Sequence, residues 1–413
     1  MPPEKLHWKH LYHEVVTAGT CTGCSGCIVA CPYDVLGFDQ HWHPFLLEGG
    51  NDPDAPRGAG PGPIAVQDVV GGPMSPAVFN YGTPATEADG CVHGEKGCTL
   101  CTRACPRFRA WEIEADTHLF GRVRTEDEVI GISRDVILAR TTNAEWLEKG
   151  QDGGLCSAIL IYALRKGMID AALVSYVDEK WRAIPGVART EEEILRAAGS
   201  RYTYTANTLA YADAVAGGAE KIALVGMSCQ SSVPPVMNVR GAKKPAGRLV
   251  LNLGLLCSKT FTDDIFEGLI EPEYGLTRDR ITKMNIKGKL QLWHDADGYT
   301  EVPLKACHAY TRPGCKTCPD FAAEHADISL GGLGQSAGWT LTVVRTQLGR
   351  DLLVEMLEAG WIEGRPGDDD PAAIALMRKL AANQRKRWPA ANGDADYARP
   401  SIIPAEYAAG KPH

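Results

Sequence analysis

Two cysteine runs near the start of the chain have the spacing of iron–sulfur ligands. The first run, CTGCSGCIVACP, covers residues 21–32 in the pattern C-x2-C-x2-C-x3-C-P. In this pattern three thiolates bind one cluster and the fourth thiolate binds a different cluster, so one run alone is incomplete. A second run at residues 91–106, CVHGEKGCTLCTRACP, supplies the missing ligands and is looser only between its first two cysteines.

The two runs together predict two [4Fe-4S] clusters that exchange their fourth ligands. We expect one cluster on Cys21, Cys24, Cys27 and Cys105, and the other on Cys91, Cys98, Cys101 and Cys31. Structural zinc is the alternative, but zinc usually uses two separated C-x2-C pairs rather than this compact spacing. Disulfides fit the spacing no better.

Six further cysteines lie beyond the second run: Cys156, Cys229, Cys257, Cys307, Cys315 and Cys318. Cys315 and Cys318 form a C-x2-C pair, while Cys229 and Cys257 each end an apolar run that reads as a strand. Ligands gather at the carboxyl ends of such strands, so four of these thiols could bind a third cluster. From spacing alone Cys307 could replace Cys229 or Cys257, and the C-x2-C pair could instead hold zinc or act as a redox dithiol. Cys156 is most simply a core thiol.

Two glycine-rich segments could let backbone amides approach a phosphate or a flavin ring. They are GQDGG at residues 150–154 and GGLGQSAGW at residues 331–339. Read without further information, each is equally a loop. Neither a GxGxxG after a strand nor a GxxxxGK[ST] is present, so the nucleotide fingerprints leave a flavin open.

The elements that must position these residues indicate an α+β (mixed α/β) fold. We expect a small ferredoxin-like domain with two clusters over residues 1–120, and a larger mixed-sheet domain that binds FAD and its own cluster over 121–365. Residues 366–413 should form a C-terminal helix and an extended tail. A Gly/Pro-rich insertion at about 49–84 separates the cysteine runs, either as a solvated loop or as a lid over the clusters.

Composition restricts the class of protein. The net charge of -8 argues against nucleic acid as the main partner. Apolar runs are too short to span a bilayer, and the N-terminus lacks the apolar core of a signal peptide. The 14 cysteines are therefore expected to be reduced ligands in a cytoplasmic protein.

Between about residues 130 and 360 the sequence resembles the beta subunits of coenzyme F420-reducing hydrogenases and dehydrogenases. The resemblance rests on ordered blocks, which together are highly specific. The blocks are QDGG at 151–154, GSRYTYTAN at 199–207, SCQ at 228–230, CSKTF at 257–261, MNIKGK at 284–289, GCKTCPDF at 314–321 and ADISLGGLGQSAGWTLTVVR at 326–345.

The resemblance implies an FAD protein that exchanges a hydride with a deazaflavin, coenzyme F420, and passes single electrons to an adjacent [4Fe-4S] cluster. By the same matching, Cys229, Cys257, Cys315 and Cys318 bind that cluster. The residues it places against FAD are Gln151, Asp152, Gly153, Gly154, Ser157, Arg201, Tyr202, Thr203, Tyr204, Thr205, Asn207, Gly331, Gly332, Gly334, Gly338 and Trp339.

Basic side chains are candidates for holding the flavin pyrophosphate or the acidic tail of a deazaflavin. These are Arg201, Lys259, Lys289, Arg312 and Arg345, each of which could instead be a structural or solvated charge. The family often has Glu-Asn after its equivalent of Cys257, where this chain has Ser258, Lys259 and Thr260. That position lies near the expected flavin, so Lys259 is one candidate catalytic side chain. His308, beside Cys307, is the other, since it could donate a hydrogen bond to flavin or cluster, or it could be a structural histidine.

The leading hypothesis is an oxidoreductase that transfers hydride from reduced F420 to FAD, and then single electrons through three [4Fe-4S] clusters to ferredoxin or a partner subunit. One alternative is a ferredoxin-dependent reductase of an organic, tetrapyrrole-like acceptor. Another is an electron-wiring subunit of a hydrogenase, formate dehydrogenase or reductase. We expect a homo-oligomer or a heteromeric complex. The run at residues 385–387 could dock an acidic ferredoxin or be a solvated helix end.

Overall fold

The computed structural model describes residues 5–48, 82–125, 127–179, 181–333 and 337–387. Most of the Gly/Pro-rich insertion and the tail beyond residue 387 lie outside these ranges. Within them, no helix combines the length and apolar character needed to cross a membrane.

A mixed eight-stranded sheet forms the centre of the larger part of the chain, in the order β13-β3-β12-β11-β7-β6-β4-β5. Its strands are β3 (Asp135–Thr141), β4 (Ala171–Val177), β5 (Ala183–Ala188), β6 (Ile222–Met227), β7 (Leu249–Leu255), β11 (Ile328–Gly331), β12 (Thr340–Val344) and β13 (Ile362–Pro366). Strands β4, β6, β7 and β11 are parallel neighbours, whereas β5, β12, β3 and β13 pair antiparallel. The carboxyl ends of β6, β7 and β11 therefore share one edge of the sheet.

Two smaller antiparallel sheets complete the strands. The N-terminal region contains the pair β1 (Leu36–Phe38) and β2 (Pro44–Leu46). The sheet β8 (Ile281–Ile286), β9 (Lys289–His294) and β10 (Gly298–Pro303) covers one side of the larger region. Its β9–β10 hairpin turns at the sequence DADG.

Helices pack on both the sheet and the cysteine runs. In the N-terminal region they are α1 (Trp8–Leu11), α2 (Gly26–Ala30), α3 (Val92–Glu95), α4 (Leu100–Arg103) and α5 (Glu112–Phe120), with a π-helix at Tyr12–Val16. Those that follow are α6 (Ala144–Lys149), α7 (Leu155–Arg165), α8 (Glu191–Arg196), α9 (Tyr211–Ala216), α10 (Ser228–Ser231), α11 (Val233–Val239), α12 (Lys243–Ala246), α13 (Glu271–Tyr274), α14 (Leu304–Cys307), α15 (Pro313–Lys316), α16 (Gln347–Glu358) and α17 (Pro371–Arg385). Single turns of other helix types lie at Asn207–Ala210, Phe266–Ile270, Arg278–Arg280, His308–Tyr310 and Gly367–Asp369.

Helix α7 shows why the main core forms. Its sequence, LCSAILIYALR, is apolar on nearly every face, and such a helix is stable only when it is buried. Ile159 and Ile161 are fully buried with Leu253 of β7 and Ile328 of β11. The glycine-rich segment before α7 is thereby fixed at the edge of the sheet.

A buried ionic network fastens the N-terminal region to the sheet. Asp116 of α5 accepts hydrogen bonds from Arg124 Nε and Nη2, both at 2.7 Å, and lies 2.9 Å from His325 Nε2. Arg124 also pairs with Glu324, which accepts a 2.8 Å hydrogen bond from Arg385 of α17. These side chains are nearly inaccessible to solvent, so the network is part of the core.

The α+β class and the large mixed sheet are confirmed. The ferredoxin-like and FAD-binding descriptions of the two regions stay predictions, as do the domain boundaries. Helix α17, the start of the predicted C-terminal segment, packs on the core through Ala373, Met377 and Ala381.

Candidate functional site

One cavity at the carboxyl edge of the sheet brings together the four cysteines expected to bind the third cluster. Cys229 is the second residue of α10, directly after β6, and Cys257 follows β7. Cys315 lies in α15 and Cys318 in the turn after it. All four line the same cavity, which has about 310 Å³ of empty space, part of it open to solvent. Parallel strands that end at one edge explain the convergence of the first two.

Burial disfavours the thiolate form of three of the thiols in this cavity, Cys229, Cys257 and Cys318, when no metal is bound. Burial raises the pKa of Cys229 and that of Cys318 to about 12, and it raises the pKa of Cys257 well above its usual value. The negative charges of Cys315, Cys229 and Cys318 raise the pKa of Cys257 further. Such crowded thiols need iron to exist together as thiolates, because ligands must be deprotonated when metal binds. The donor set therefore fits an iron–sulfur cluster.

The structure brings the first N-terminal set together, while its binding of one cluster stays a prediction. Burial raises the pKa of Cys27 well above its usual value, and the charges of Cys105, Cys24 and Cys21 add to the effect. The pKa of Cys105 is raised by burial and by Cys24 and Cys21 in turn. These four thiols are therefore electrostatic neighbours, although Cys105 comes from the second run.

The second N-terminal set shows the complementary exchange. Burial raises the pKa of Cys101, and the charges of Cys31, Cys91 and Cys98 raise it further. Cys31 thus groups with the second run, as the exchange of fourth ligands requires. No three His, Cys, Asp or Glu side chains among the described residues are placed to hold a single metal ion. The thiols of each set therefore lie near one another, but they are not arranged around a single metal ion.

The 151–154 segment forms a tight loop next to the cavity edge. Gly153 N donates to Thr340 Oγ1 at 3.1 Å, and a side chain at Gly153 would meet the backbone of Ala139 and Thr340. Asp152 adopts a positive φ of 51° and contacts Gly332, the residue after β11. Lys287 Nζ lies 3.3 Å from Asp152 Oδ1. Two glycine-rich segments that are far apart in sequence therefore meet here.

Further predicted flavin residues lie around this loop. The pKa of Tyr202 is raised by burial and by the charge of Asp152, and its hydroxyl accepts from Ile286 N at 3.1 Å. Gln151 has a buried Oε1 with no hydrogen-bond partner among the described residues. The predicted residues that lie in or follow this loop are Gln151, Asp152, Gly153, Gly154 and Ser157. This loop carries few side chains and has one buried acceptor, Gln151 Oε1, that is unpaired within the described part of the chain. These features fit a planar cofactor that has hydrogen-bond donor groups.

Several residues that the resemblance places against FAD also have hydrogen-bond partners within the protein. Arg201 Nη1 donates to Ala197 O at 2.6 Å and Gly199 O at 2.8 Å, and burial lowers its pKa to about 10. Asn207 Nδ2 donates to Val225 O at 2.8 Å, and Thr205 O accepts from Gln230 Nε2 at 2.6 Å. The segment from 203 to 207 thus supports the cavity wall.

Other candidates lie away from the loop. Arg345 is completely buried and donates to Ser329 Oγ and to three backbone carbonyls, so it ties β12 to the neighbouring loops. Lys289 pairs with Glu301 across an exposed hairpin. The guanidinium carbons of Arg140 and Arg365 lie 4.6 and 4.5 Å from the Trp339 ring centroid.

The glycines of the 331–339 segment have different surroundings. Gly331 ends β11 against Leu256, Gly332 faces Asp152, and Gly338 has a φ of 76° with open space around it. Gly334 lies outside the described residues. Thr203 forms an isolated β-bridge with Phe261.

Two matched regions decide the family of the chain. Residues 136–211 match the model described as coenzyme F420 hydrogenase/dehydrogenase, beta subunit N-term, and residues 219–370 match the companion model for the C terminus of the same beta subunit. The chain belongs to the coenzyme F420 hydrogenase/dehydrogenase beta-subunit family. The resemblance seen in the sequence is thereby confirmed.

Members of this family are similar to the chain over different lengths. It is 34% identical over 269 residues to the coenzyme F420 hydrogenase subunit beta of Methanothermobacter thermautotrophicus, a match that covers 63% of this chain and 94% of that protein. It is 26% identical over 362 residues to the coenzyme F420-dependent sulfite reductase of Methanocaldococcus jannaschii, over 84% of this chain and 47% of that protein. A chain of the F420-reducing [NiFe] hydrogenase complex from Methanosarcina barkeri superposes with a TM-score of 0.61 and 31% identity, covering 64% of this chain and 92% of that chain.

The family match contains the third cysteine set but not the two N-terminal sets. Lys259 lines the cavity, and burial and the charge of Arg387 lower its pKa. His308 is exposed, and its pKa is lowered by slight burial and by the charge of Lys259. The two candidate catalytic side chains are therefore electrostatic neighbours, and of the two Lys259 lines the cavity.

Sequence reasoning missed residues that hold the cysteine ligands in place. Gln384 of α17 is buried in the cavity wall, and its Nε2 donates to Cys257 O at 3.0 Å and Asp320 O at 2.9 Å. Arg387 donates to Ser258 O at 2.5 Å. Both lie beyond the region of the family match. No motif marks Gln384, whereas Arg387 belongs to the run at 385–387, for which the sequence predicts a ferredoxin dock or a solvated helix end and not this contact. Lys287 belongs to the block MNIKGK, in which the sequence points to Lys289 instead.

Proposed function

We propose that this chain is an iron–sulfur flavoprotein that takes hydride from reduced coenzyme F420 at FAD. It would pass electrons one at a time through three [4Fe-4S] clusters to ferredoxin or a partner subunit. The observation that carries the proposal is the position of the third cysteine set. On one side, Leu256, which precedes Cys257, packs against Gly331, and the next residue Gly332 contacts Asp152; on the other side, Thr22 of the first N-terminal set's ligand loop lines the cavity.

The contacts on each side of that cavity support this order of carriers. Tyr202 responds to the charges of both Asp152 and Cys257, so the loop and the third set share a neighbour. On the other side, Cys24 is the largest charged contributor to the raised pKa of Cys229. Cys27 in turn responds to Cys101 of the second set. The candidate sites therefore form a row rather than a scattered group.

FAD, when bound, can accept a hydride and release its electrons singly, whereas the clusters carry single electrons. The chain's own part is to bind and orient these groups. The space beside Gly153 is filled by the backbone of β3 and β12, which fixes the loop against the sheet, and Lys287 lies 3.3 Å from Asp152 at the edge of the loop. Lys259 at the cavity rim is the described cation best placed to attract an acidic deazaflavin.

The names of the relatives support the choice of donor, since each of the three reported is F420-linked. The relative solved within a hydrogenase complex also favours a second candidate, an electron-wiring subunit that works only with a catalytic partner. In both candidate functions electrons would cross the same row of sites. The two functions differ in whether the isolated chain catalyses the reaction without a partner.

An anaerobic spectroscopic experiment tests the proposal. The chain is purified, its iron and flavin are quantified, and reduced F420 or NADH is added while flavin absorbance is followed. We expect reduced F420 alone to bleach the flavin, with about three four-iron clusters per chain. Flavin that stays oxidised with reduced F420 but bleaches with reduced ferredoxin would overturn the assignment of the donor.

A cysteine variant separates the flavin step from the electron-transfer step. We expect reduced F420 to bleach the flavin of C315S. The variant should nevertheless reduce an added one-electron acceptor slowly, because the third cluster is missing. C156S is the matched control, since Cys156 lies on α7 and not in the cavity. Equal acceptor reduction by both variants would contradict the role of the third set.

A further inference from the structure

The first N-terminal set and the third set meet across a joint made by two buried arginines. Arg312, from the sheet region, donates from Nη1 to Thr22 O at 3.0 Å and from Nη2 to His41 O at 2.6 Å. Thr22 lies between Cys21 and Cys24, two ligands of the first set. An arginine of one region therefore holds the ligand loop of the other.

Arg107 makes the reciprocal contact from the N-terminal region. It follows Cys105 closely in sequence, and its Nη2 donates to Thr317 O at 2.6 Å and to Thr317 Oγ1 at 3.2 Å. Thr317 lies between Cys315 and Cys318, two ligands of the third set. The Nε of Arg107 donates to Thr20 O at 3.1 Å, which anchors the side chain within its own region.

Tyr204 fills the space between the two sets. Its hydroxyl donates to Gly23 O at 3.2 Å and lies 3.6 Å from Cys229 Sγ. The guanidinium carbon of Arg312 lies 3.6 Å from the centroid of the Tyr204 ring. One side chain thus touches the ligand loop of the first set and a ligand of the third.

Arg312 is a buried cation, and the side-chain contacts that the structure describes for it include no negatively charged group. Only 2% of the residue is exposed, and its partners among the described residues are two carbonyls and an aromatic ring. A buried cation without a counter-charge is costly. Arg312 lines the same cavity as Cys229, and it hydrogen-bonds the loop between Cys21 and Cys24. Thiolates of the two sets are the available counter-charges.

We propose that Arg312 and Arg107 are positioning residues that hold the first N-terminal cluster beside the third and favour the reduced state of both. The inference rests on the clusters of the proposed function. In the transfer, the third cluster would give up one electron and so become oxidised. The first cluster would accept that electron and so become reduced, by way of the contact at Tyr204. No proton moves with it at the joint, because the guanidinium groups stay protonated at all working pH values.

The test is an anaerobic redox titration of the full chain, followed by electron paramagnetic resonance of the reduced clusters. The variants are R312Q, which removes the charge, and R312K, which keeps it. An opposite charge at close range shifts a buried ionic equilibrium by about tenfold or more. We expect R312Q to lower the reduced-to-oxidised ratio of the first or third cluster about tenfold at a given potential, a shift of about 59 mV. R312K should recover most of the shift.

A matched control excludes a general effect of removing a buried arginine. Arg182 is as buried as Arg312, but its charge is compensated by Asp178 within the β4–β5 hairpin. R182Q should leave all cluster potentials unchanged. Unchanged potentials in an R312Q protein with full iron content would overturn the proposal.

A measurement on the unmodified chain keeps the proposal testable if R312Q does not hold its clusters. Two reduced clusters that face each other across one side chain should broaden each other's resonance signals through spin coupling. Fully reduced wild-type protein with no such coupling would overturn the proposed arrangement. Both measurements use a chemical reductant, so a failure to react with F420 would not affect them.

Discussion

Replacing Asp116 by asparagine tests whether the buried ionic network holds the N-terminal region on the sheet. Asp116 is 1% exposed and accepts two hydrogen bonds from Arg124. Removing one partner of a buried ion pair typically costs about 3–5 kcal/mol, and in D116N the Arg124 charge would retain only Glu324 among its described carboxylate partners, which it shares with Arg385. We therefore expect D116N to lower the free energy of unfolding by about this amount.

The control for this variant has the same chemistry at the surface. Glu363 accepts from Arg140 at 2.8 Å, but its side chain is 51% exposed. Exposed pairs contribute about 0–1 kcal/mol, so E363Q should change little. The measurement is the guanidinium midpoint of the holoprotein under anaerobic conditions, followed by circular dichroism. Equal midpoints for D116N and E363Q would refute the reasoning.

The pH dependence identifies which charge matters. Burial alone would raise the pKa of Asp116, but the charge and hydrogen bonds of Arg124 and a bond from His325 hold that pKa well below its usual value. A depressed folded-state pKa gives stability that is fully present above the unfolded value of about 3.9 and is lost only as the pH falls through the folded value. The difference between wild type and D116N should therefore be the same at pH 6 and pH 8. A difference that vanishes at pH 8 would mean that protonated His325 carries the interaction.

Three further predictions concern the cofactor sites. Q384L should lose its iron to a chelator faster than wild type, because two buried carbonyls each lose a hydrogen-bond donor, at a cost of about 1–3 kcal/mol each. Q347L, at the surface, should lose iron at the wild-type rate. Iron analysis of C315S should give about one four-iron cluster fewer than C156S; equal iron contents would contradict the third ligand set. G153A should lower the flavin content, because its methyl group would meet the backbone of β3 and β12, and full flavin occupancy would show that this loop is not the binding site.

The grouping of the cysteines could be predicted because it depends on short-range spacing and on strand order. Two C-x2-C-x2-C-type runs already specify an exchange of ligands, and an apolar run that ends in Cys229 or Cys257 places the thiol at a strand end. The sheet then brings together the ends of β6 and β7, which are parallel neighbours. These rules need no knowledge of distant contacts.

The role of single charged residues could not be predicted in this way. Arg345 follows an apolar strand, and the sequence does not tell whether such a residue faces a cofactor or four buried acceptors. Lys287 and Lys289 differ only in their place in the hairpin, since one lies in the turn near Asp152 and the other pairs with Glu301. Arg312 and Thr22 are 290 positions apart, so their contact depends on the complete fold.

The joint between the two regions also bears on the stage of synthesis at which the proposed clusters could be inserted. Chains fold from the N-terminus as they are synthesised, and the ligands of the first two sets are all present once Cys105 has been made. Thr317, which receives the hydrogen bonds of Arg107, comes 210 positions later. Until then the loop at Thr22 has no Arg312 to cover it, and the first two clusters would be reachable by water and oxygen. Cluster insertion before docking would thus leave them exposed for most of synthesis, whereas insertion after docking would have to reach a buried site.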